Sequence, residues 1–372
     1  DSVSLTFFNI TIILDNNGNE MDFTFSLNTK GEITILNSEI NSTYFKNSKI
    51  ELSSSKTTLV NSTIWSGTKY TGSGCYSRYN QCSNNDMKTE LYINTNELDI
   101  SSSQLVSKSE STSLPTSNPW YYSNRIDNNF EINSTVISIN DSKLISSSYM
   151  NHYGTSYSYR FVDSDFEIIS SNSTLSNSTV RSEILEGSGY NSNDYNLQTN
   201  FDFEANNSLE IYDSFVGLGE WALSTLSSWQ GSEVNVNVDN VNHTISVKDS
   251  IIKSNIYACY QCNSTYFKSS LLILESSLTG NLYAEQASNI TIINSDIDGY
   301  LLTDTINLVI TNVTIGQDFN SAKEGKIRHS AKNATLTDVI VDGKLSLSGD
   351  ILDFANSSVG NDATFDYNLV KM

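Results

Sequence analysis

Residues 271–360 carry one short pattern five times, and no other feature limits the fold as sharply. Two apolar residues spaced by two are followed by a small polar anchor. An apolar residue comes three positions later, and a glycine closes the unit. Ile290, Ile292, Asn294, Ile297 and Gly299 show it, and Leu308, Ile310, Asn312, Ile315 and Gly316 repeat it. Leu271, Ile273, Glu275, Leu278 and Gly280 precede them; Leu336, Asp338, Val341 and Gly343, then Leu352, Phe354, Asn356, Val359 and Gly360, follow. The anchors lie 19, 18, 26 and 18 residues apart. Apolar residues at spacing two share one face of a strand. Asn, Asp and Ser bond locally to backbone and favour turns. Glycine permits a further bend, including positive φ. A unit of about 20 residues cannot bury its own apolar face, so the units must stack.

The same pattern returns upstream at Ile33/Ile35/Asn37, Leu59/Asn61, Leu98/Ile100/Ser102, Ile137/Ile139/Asp141, Leu175/Asn177, Leu209/Ile211/Asp213 and Ile245/Val247/Asp249. The expected fold is therefore all-β: a single-chain parallel β-helix, or β-solenoid, of about 15 rungs of about 18–26 residues each. Stacked at about 4.8 Å per rung, it spans on the order of 70 Å. From Asp141 to Asp249 the anchors lie 36 apart, twice 18, which predicts a degenerate rung within each interval, one of them at 161–166. Three regions follow: N-terminal strands at 1–30, a solenoid over 31–360 and a C-terminal strand at 361–372. The first region reads as a β-hairpin or as a first rung with a long turn. Loop insertions are expected near 66–88, 107–129, 149–159, 187–195 and 217–232, the last with a helix-like 220–229.

The regular turn and stacked apolar strands resemble the parallel β-helix proteins of the pectate-lyase-like superfamily, over about residues 30–360. Enzymes of that superfamily imply either calcium-binding carboxylates with a basic residue or clustered aspartates with His-Gly and Arg-x-Lys pairs. Neither set is found here. His152, His243 and His329 are scattered, and the Asp163/Asp165 and Asp296/Asp298 pairs read as solvent-facing turn residues rather than paired carboxylates on one strand face. No cofactor motif is seen, and no motif marks a structural calcium. An enzyme is not expected; a polysaccharide lyase or hydrolase is the third reading.

Lys and Arg number 21 against 42 Asp and Glu, a net charge of −21, which argues against nucleic acid and anionic membranes as partners. No apolar run approaches the length of a transmembrane helix. Starting at Asp1, the chain reads as a mature secreted form. Cys75 with Cys82 and Cys259 with Cys262 are expected to form two local disulfides in an oxidising compartment.

Fourteen Asn residues stand in Asn-x-Ser/Thr: Asn9, Asn41, Asn61, Asn133, Asn140, Asn172, Asn177, Asn206, Asn242, Asn263, Asn289, Asn312, Asn333 and Asn356. In so Asn- and Ser-rich a chain the count carries little. The third position carries more, since Thr fills it in eleven of the fourteen, and N-glycosylation of a secreted protein is the expectation. Asn61, Asn177, Asn312 and Asn356 are also repeat anchors. Asp fills the anchor slot in other rungs, and stacked buried carboxylates would repel, so the anchors are expected to face solvent.

Aromatic residues concentrate in the insertions. Trp120, Tyr121, Tyr122, Trp221 and Trp229 suit an interface or a sugar-stacking surface. The functional expectation is an extracellular glycosylated structural protein that assembles head-to-tail into a filament or layer, its partner being itself. An adhesin holding a glycan through aromatic loops is the alternative. The Asn, Ser, Thr and Tyr bias with few Lys is similar to that of archaeal surface-layer and filament glycoproteins.

Overall fold

The computed structural model describes residues 3–15, 22–73, 85–114, 122–152, 158–186, 194–218, 232–238, 244–248, 251–253, 263–267, 270–279, 281–316 and 327–371. These residues are strands and tight turns, with no helix among them. Every strand pairing is parallel, and each joins one pass of the chain to the next. The expected fold class, all-β with parallel strands, is therefore what the chain forms.

Each pass lays down three segments. The strand Asn47–Val60 shows how. Its side chains alternate in and out through Leu52, lose the alternation over 53–56, and resume it at Thr57 and Leu59. The break is a bend, so one continuous strand serves two ladders. Its first half pairs with Asp22–Asn28 and its second half with Glu32–Leu36. A tight corner at Asn61 then turns the chain into Thr63–Ser73, which pairs with Glu39–Phe45. First, second and third ladders arise in that order, and their inner residues share one apolar core.

Register stacks like on like along that core. In the second ladder one column runs without a gap from Leu5 through Ile33, Thr57, Leu98 and Ile137 to Leu352 and Val370. In the first ladder Phe130 stacks on Phe166 with ring centroids 4.4 Å apart, and Phe201 meets Phe166 edge-on at 5.4 Å. Toward the third ladder the interior turns polar. Ser48 bridges Ser42 and Ser66 at 2.7 and 3.0 Å, and Thr89 bridges Thr68 and Ser109 at 2.8 and 2.6 Å. Asn128 accepts from Ser107 Oγ at 2.5 Å and donates to the carbonyls of Ser107 and Ser147. Buried hydroxyls and amides are tolerated here because they satisfy one another.

The corner between second and third ladders is the most regular element. Twelve non-glycine residues have positive φ, all between 45° and 54°, and each is an anchor of this kind: Asn9, Asn37, Asn61, Ser102, Asp141, Asn177, Asp213, Glu275, Asn294, Asn312, Asp338 and Asn356. The left-handed bend thus falls on the anchor itself, where Asn and Asp are best tolerated. Glycine takes positive φ at Gly217, Gly299 and Gly316.

The residue after the anchor is Ser at Ser38, Ser62, Ser103, Ser142, Ser178, Ser214, Ser276, Ser295 and Ser357. Eight of these nine are buried. Each hydroxyl donates to the carbonyl two residues earlier at 2.6–2.8 Å. Eight of the nine also accept the amide of the same position in the preceding turn at 3.0–3.2 Å, as Ser142 Oγ does from the Ser103 amide. The amides freed by the left-handed bend are thereby paired.

The structure changes three expectations. Asn9 has the anchor conformation and Leu5–Phe8 pairs in parallel with Glu32–Leu36, so the repeat begins within 1–30 and the hairpin alternative falls. Residues 161–166 are not a separate rung: Val162 pairs with Ile126 and Leu197, making 161–166 the first-ladder segment of a 36-residue turn. Strands reach into the expected insertions, for Thr63–Ser73, Asn85–Ser101, Gln104–Leu114, Tyr122–Asn140, Lys143–His152 and Ser158–Ser176 occupy much of 66–88, 107–129 and 149–159. The surplus length of the long turns falls between the third ladder and the next first-ladder strand: the chain leaves at Ser73 and returns at Asn85, and leaves at Leu114 and returns at Tyr122.

Ser142→Ala leaves the Ser103 amide without an acceptor and should cost about 1–3 kcal/mol in chemical denaturation, whereas Ser138→Ala on the outward face should stay within about 0.5 kcal/mol. At the anchor itself, Asp213→Gly should be nearly neutral and Asp213→Val should cost about 1–2 kcal/mol, because a β-branched residue resists the left-handed region.

Candidate functional site

Two surfaces among the described residues gather much of what the sequence singled out. The first is the corner between second and third ladders. All twelve left-handed anchors are exposed, so the expectation that they face solvent holds. Being exposed does not leave them unconnected. Asn61 Nδ2 donates to Asn37 Oδ1 at 2.9 Å, Asn312 Nδ2 to Asn294 Oδ1 at 3.0 Å and Asn177 Nδ2 to Asp141 Oδ1 at 3.1 Å. Of the sequon residues, Asn9, Asn61, Asn177, Asn312 and Asn356 occupy this corner.

The remaining sequons are dispersed. Asn133, Asn140 and Asn289 are exposed on or beside the second ladder. Asn172 and Asn333 are half-buried there: Asn172 accepts from Ser208 at 3.0 Å, and Asn333 donates to Asn307 at 3.0 Å. Asn41 is half-buried on the third ladder, with Nδ2 on Glu39 at 3.2 Å and a buried Oδ1. Asn206 and Asn263 lie on strands, and Asn242 lies outside the described residues.

The second surface is the outward face of the first ladder. Register places Glu131, Glu167 and Asp202 in one column, and Asp127 and Asp163 in another beside Asp165. Parallel strands at about 4.8 Å bring these carboxylates close, and like charges directly opposite are unfavourable. Asp163 responds most. Burial first, then the Asp165 and Asp127 carboxylates and a hydrogen bond with Asp165, push it up to about 6, against a smaller pull from Arg125. Burial, then Glu131, Glu204 and Asp165, raise Glu167 as well. Arg125 bridges Asp127 at 3.0 Å. Toward the N-terminal turns the face is better compensated: Lys88 pairs with Glu90 at 2.5 Å, and Lys49 pairs with Glu51 at 2.9 Å while lying over the Tyr92 ring at 5.1 Å. Asp163 and Asp165 therefore sit on a strand face, not in a turn. Asp296 and Asp298 also lie on a strand, and the structure does not join them to the first pair.

The remaining candidates fall in sequence at the junctions from third ladder to first. Cys75 and Cys82 fall in sequence between Ser73 and Asn85, Trp120 and Tyr121 between Leu114 and Tyr122, Trp221 and Trp229 between Leu218 and Ser232, and Cys259 and Cys262 between Lys253 and Asn263. Tyr122 opens a described strand. The other eight lie outside the described residues, as does 220–229.

Two features escaped the sequence reading. The buried Ser column was missed because an Asn-Ser or Asp-Ser pair reads as a polar turn. The recurrence of Ser one position after the anchor was the available signal. The acidic face was missed because its columns join residues 36 apart, a spacing assigned to two rungs rather than one.

Compared with known proteins, the chain matches no family model, no curated sequence and no solved structure. Among the described residues no helix is long and apolar enough to cross a membrane, and no group of three or more His, Cys, Asp or Glu could hold a metal ion.

The raised Asp163 fixes the sign of a pH effect. Between the ordinary Asp value and about 6 the folded chain holds a proton that the unfolded chain has released. Stability therefore falls as pH rises through that window, and the loss persists above it. Asp163→Asn should raise the melting temperature relative to the parent at pH 7, and the difference should vanish by pH 3. An equal difference at both pH values would disprove the assignment.

Proposed function

We propose that the chain is a single β-solenoid, and that it serves as an extracellular, glycosylated structural protein assembling end to end. One observation carries the reading: the core columns stay open at both ends of the described structure. At one end Phe7, Ile12, Phe23, Phe25 and Leu27 are only partly buried, and at the other Phe354, Val359, Phe365 and Tyr367. These residues point inward, and their counterparts one turn deeper are covered, as Ile35 and Ile50 are at 0% exposure. Phe8 and Ile13 add exposed apolar surface, each 58% accessible. The outermost strands at each end also carry an unpaired edge, which pairs with another strand unless blocked.

A further parallel turn would complete the burial, and the occupant proposed is a second copy. Leu5 and Val370 belong to one column, so a copy set on the end with the same rise continues it. Contact of unlike ends is heterologous and builds a filament when it does not close. The carboxylates on the first ladder repel along such a filament, so salt should favour assembly.

Negative-stain microscopy of the protein at rising concentration and salt tests this. Fibres are expected, with Phe25→Asp or Phe365→Asp holding the particles single while circular dichroism stays unchanged. Single particles under all conditions would overturn the reading. They would mean that the edges are covered by the chain's own neighbouring segments, or that the adhesin reading applies.

A further inference from the structure

We infer that N-linked glycans occupy one edge of the stack, at the left-handed corner Asn residues Asn9, Asn61, Asn177, Asn312 and Asn356. This rests on the extracellular reading above and says where on the molecule the sugars stand. The fold separates two demands that the sequence merges. The corner needs Asn, Asp or Ser for its positive φ, and the next position supplies the buried hydroxyl column. Neither demand touches the residue two after the anchor, which opens the third ladder and points outward.

That residue nevertheless follows the identity of the anchor. Where the anchor is Asn it is Thr11, Thr63, Thr179, Thr314 or Ser358 in five of seven corners, the exceptions being Glu39 and Asp296. Where the anchor is Ser, Asp or Glu it is Gln104, Lys143, Phe215, Ser277 or Ile340, with one hydroxyl in five. A strand preference for Thr would act regardless of the anchor. A hydroxyl favoured beside Asn is what N-glycosylation selects. At the start of the second ladder Thr stands two after Glu32 and Lys56 as well as two after Asn172, Asn289 and Asn333, so a hydroxyl there is less diagnostic than at the corner.

The geometry accommodates the sugar. All five Asn side chains are exposed. Asn61, Asn177 and Asn312 each give one Nδ2 hydrogen to the preceding turn, and an amide nitrogen has a second to exchange for a sugar. Their acceptors, Asn37, Asp141 and Asn294, are corners that carry no sequon. No two sequon corners are neighbours: Asn37 separates Asn9 from Asn61, and Asp338 separates Asn312 from Asn356. Glycans then stand at least two rungs apart, about 10 Å.

Glycopeptide mass spectrometry of the protein purified from the cells that make it decides the matter. Glycans are expected on the five corner residues, with Asn41, Asn172 and Asn333 bare. Thr63→Val keeps the Asn anchor and Asn61→Asp keeps an anchor proven at Asp141, so each should lose one glycan, the one at position 61, without change in melting temperature by more than the loss of the sugar itself produces. Glycans confined to Asn172, Asn333 and other non-corner sites would overturn this inference while leaving a glycosylated protein. Sugar on no sequon at all would overturn it together with the extracellular reading.

Discussion

The architecture depends on a backbone problem solved the same way at each corner. A chain turning sharply out of one parallel ladder into another must place a residue at positive φ and leave an amide pointing into the interior. Twelve anchors accept the first requirement, and the serine that follows most of them meets the second. Most of these hydroxyls both donate within their own turn and accept from a neighbour, so the column is a chain of mutual satisfaction. A typical hydrogen bond contributes about 1 kcal/mol net, but an orphaned buried amide costs more, which makes this column intolerant of single losses. It also sets register. A turn displaced by one residue would bring the exposed anchor inward and send the serine out.

Register in turn decides what else each turn may contain. Because second-ladder columns run unbroken from Leu5 to Val370, inserted residues cannot enter there without displacing a core position. The bend between first and second ladders is short, and the left-handed corner is held by its hydrogen bonds. The junction from third ladder to first takes most of the added length, with a smaller share at the first-to-second bend, where Ala205 and Leu209 pair with Val238 and Ile245. Turns that take 18 residues between Ile290 and Leu308 and 41 between Thr57 and Leu98 therefore share the same three ladders. The polar interior near that junction, built on Ser48, Thr89, Asn128 and Ser164, belongs to the side where turn length varies.

The strands and their parallel stacking were legible because the pattern Ile-x-Ile-x-Asn reports a physical period that no helix shares. The solvent-facing anchors were legible from electrostatics alone, since Asp141, Asp213 and Asp338 could not be stacked in the core. What was not legible involved partners distant in sequence. Asp163 and Asp127 lie 36 residues apart, and nothing local to either shows that they are neighbours. Spacing misled for the same reason: 36 is twice 18, yet Phe166 pairs directly with Phe130. The first turn was set apart because 5–14 lacks the neighbouring repeats that make the rest conspicuous, although Asn9 adopts the same φ as Asn37.

Composition acquires a different meaning once the corners are known. An abundance of Asn and Ser looks at first like a secretion signature. Much of it is backbone chemistry: Asn61-Ser62 and Asn177-Ser178 would be selected by this corner in any compartment. Counting sequons therefore measures the fold as much as any modification. The informative residues are those the fold leaves free, such as Thr63 and Thr179, which take no part in the serine column and face outward. The same logic applies to the acidic first-ladder face. Its inner partners, Phe130, Phe166 and Phe201, are constrained by packing. The outward Glu131, Glu167 and Asp202 are not, and burial, then Glu131, Glu204 and Asp165, raise Glu167, a cost that in-register stacking brings. A surface that retains such a cost across successive turns is set by a requirement outside the core.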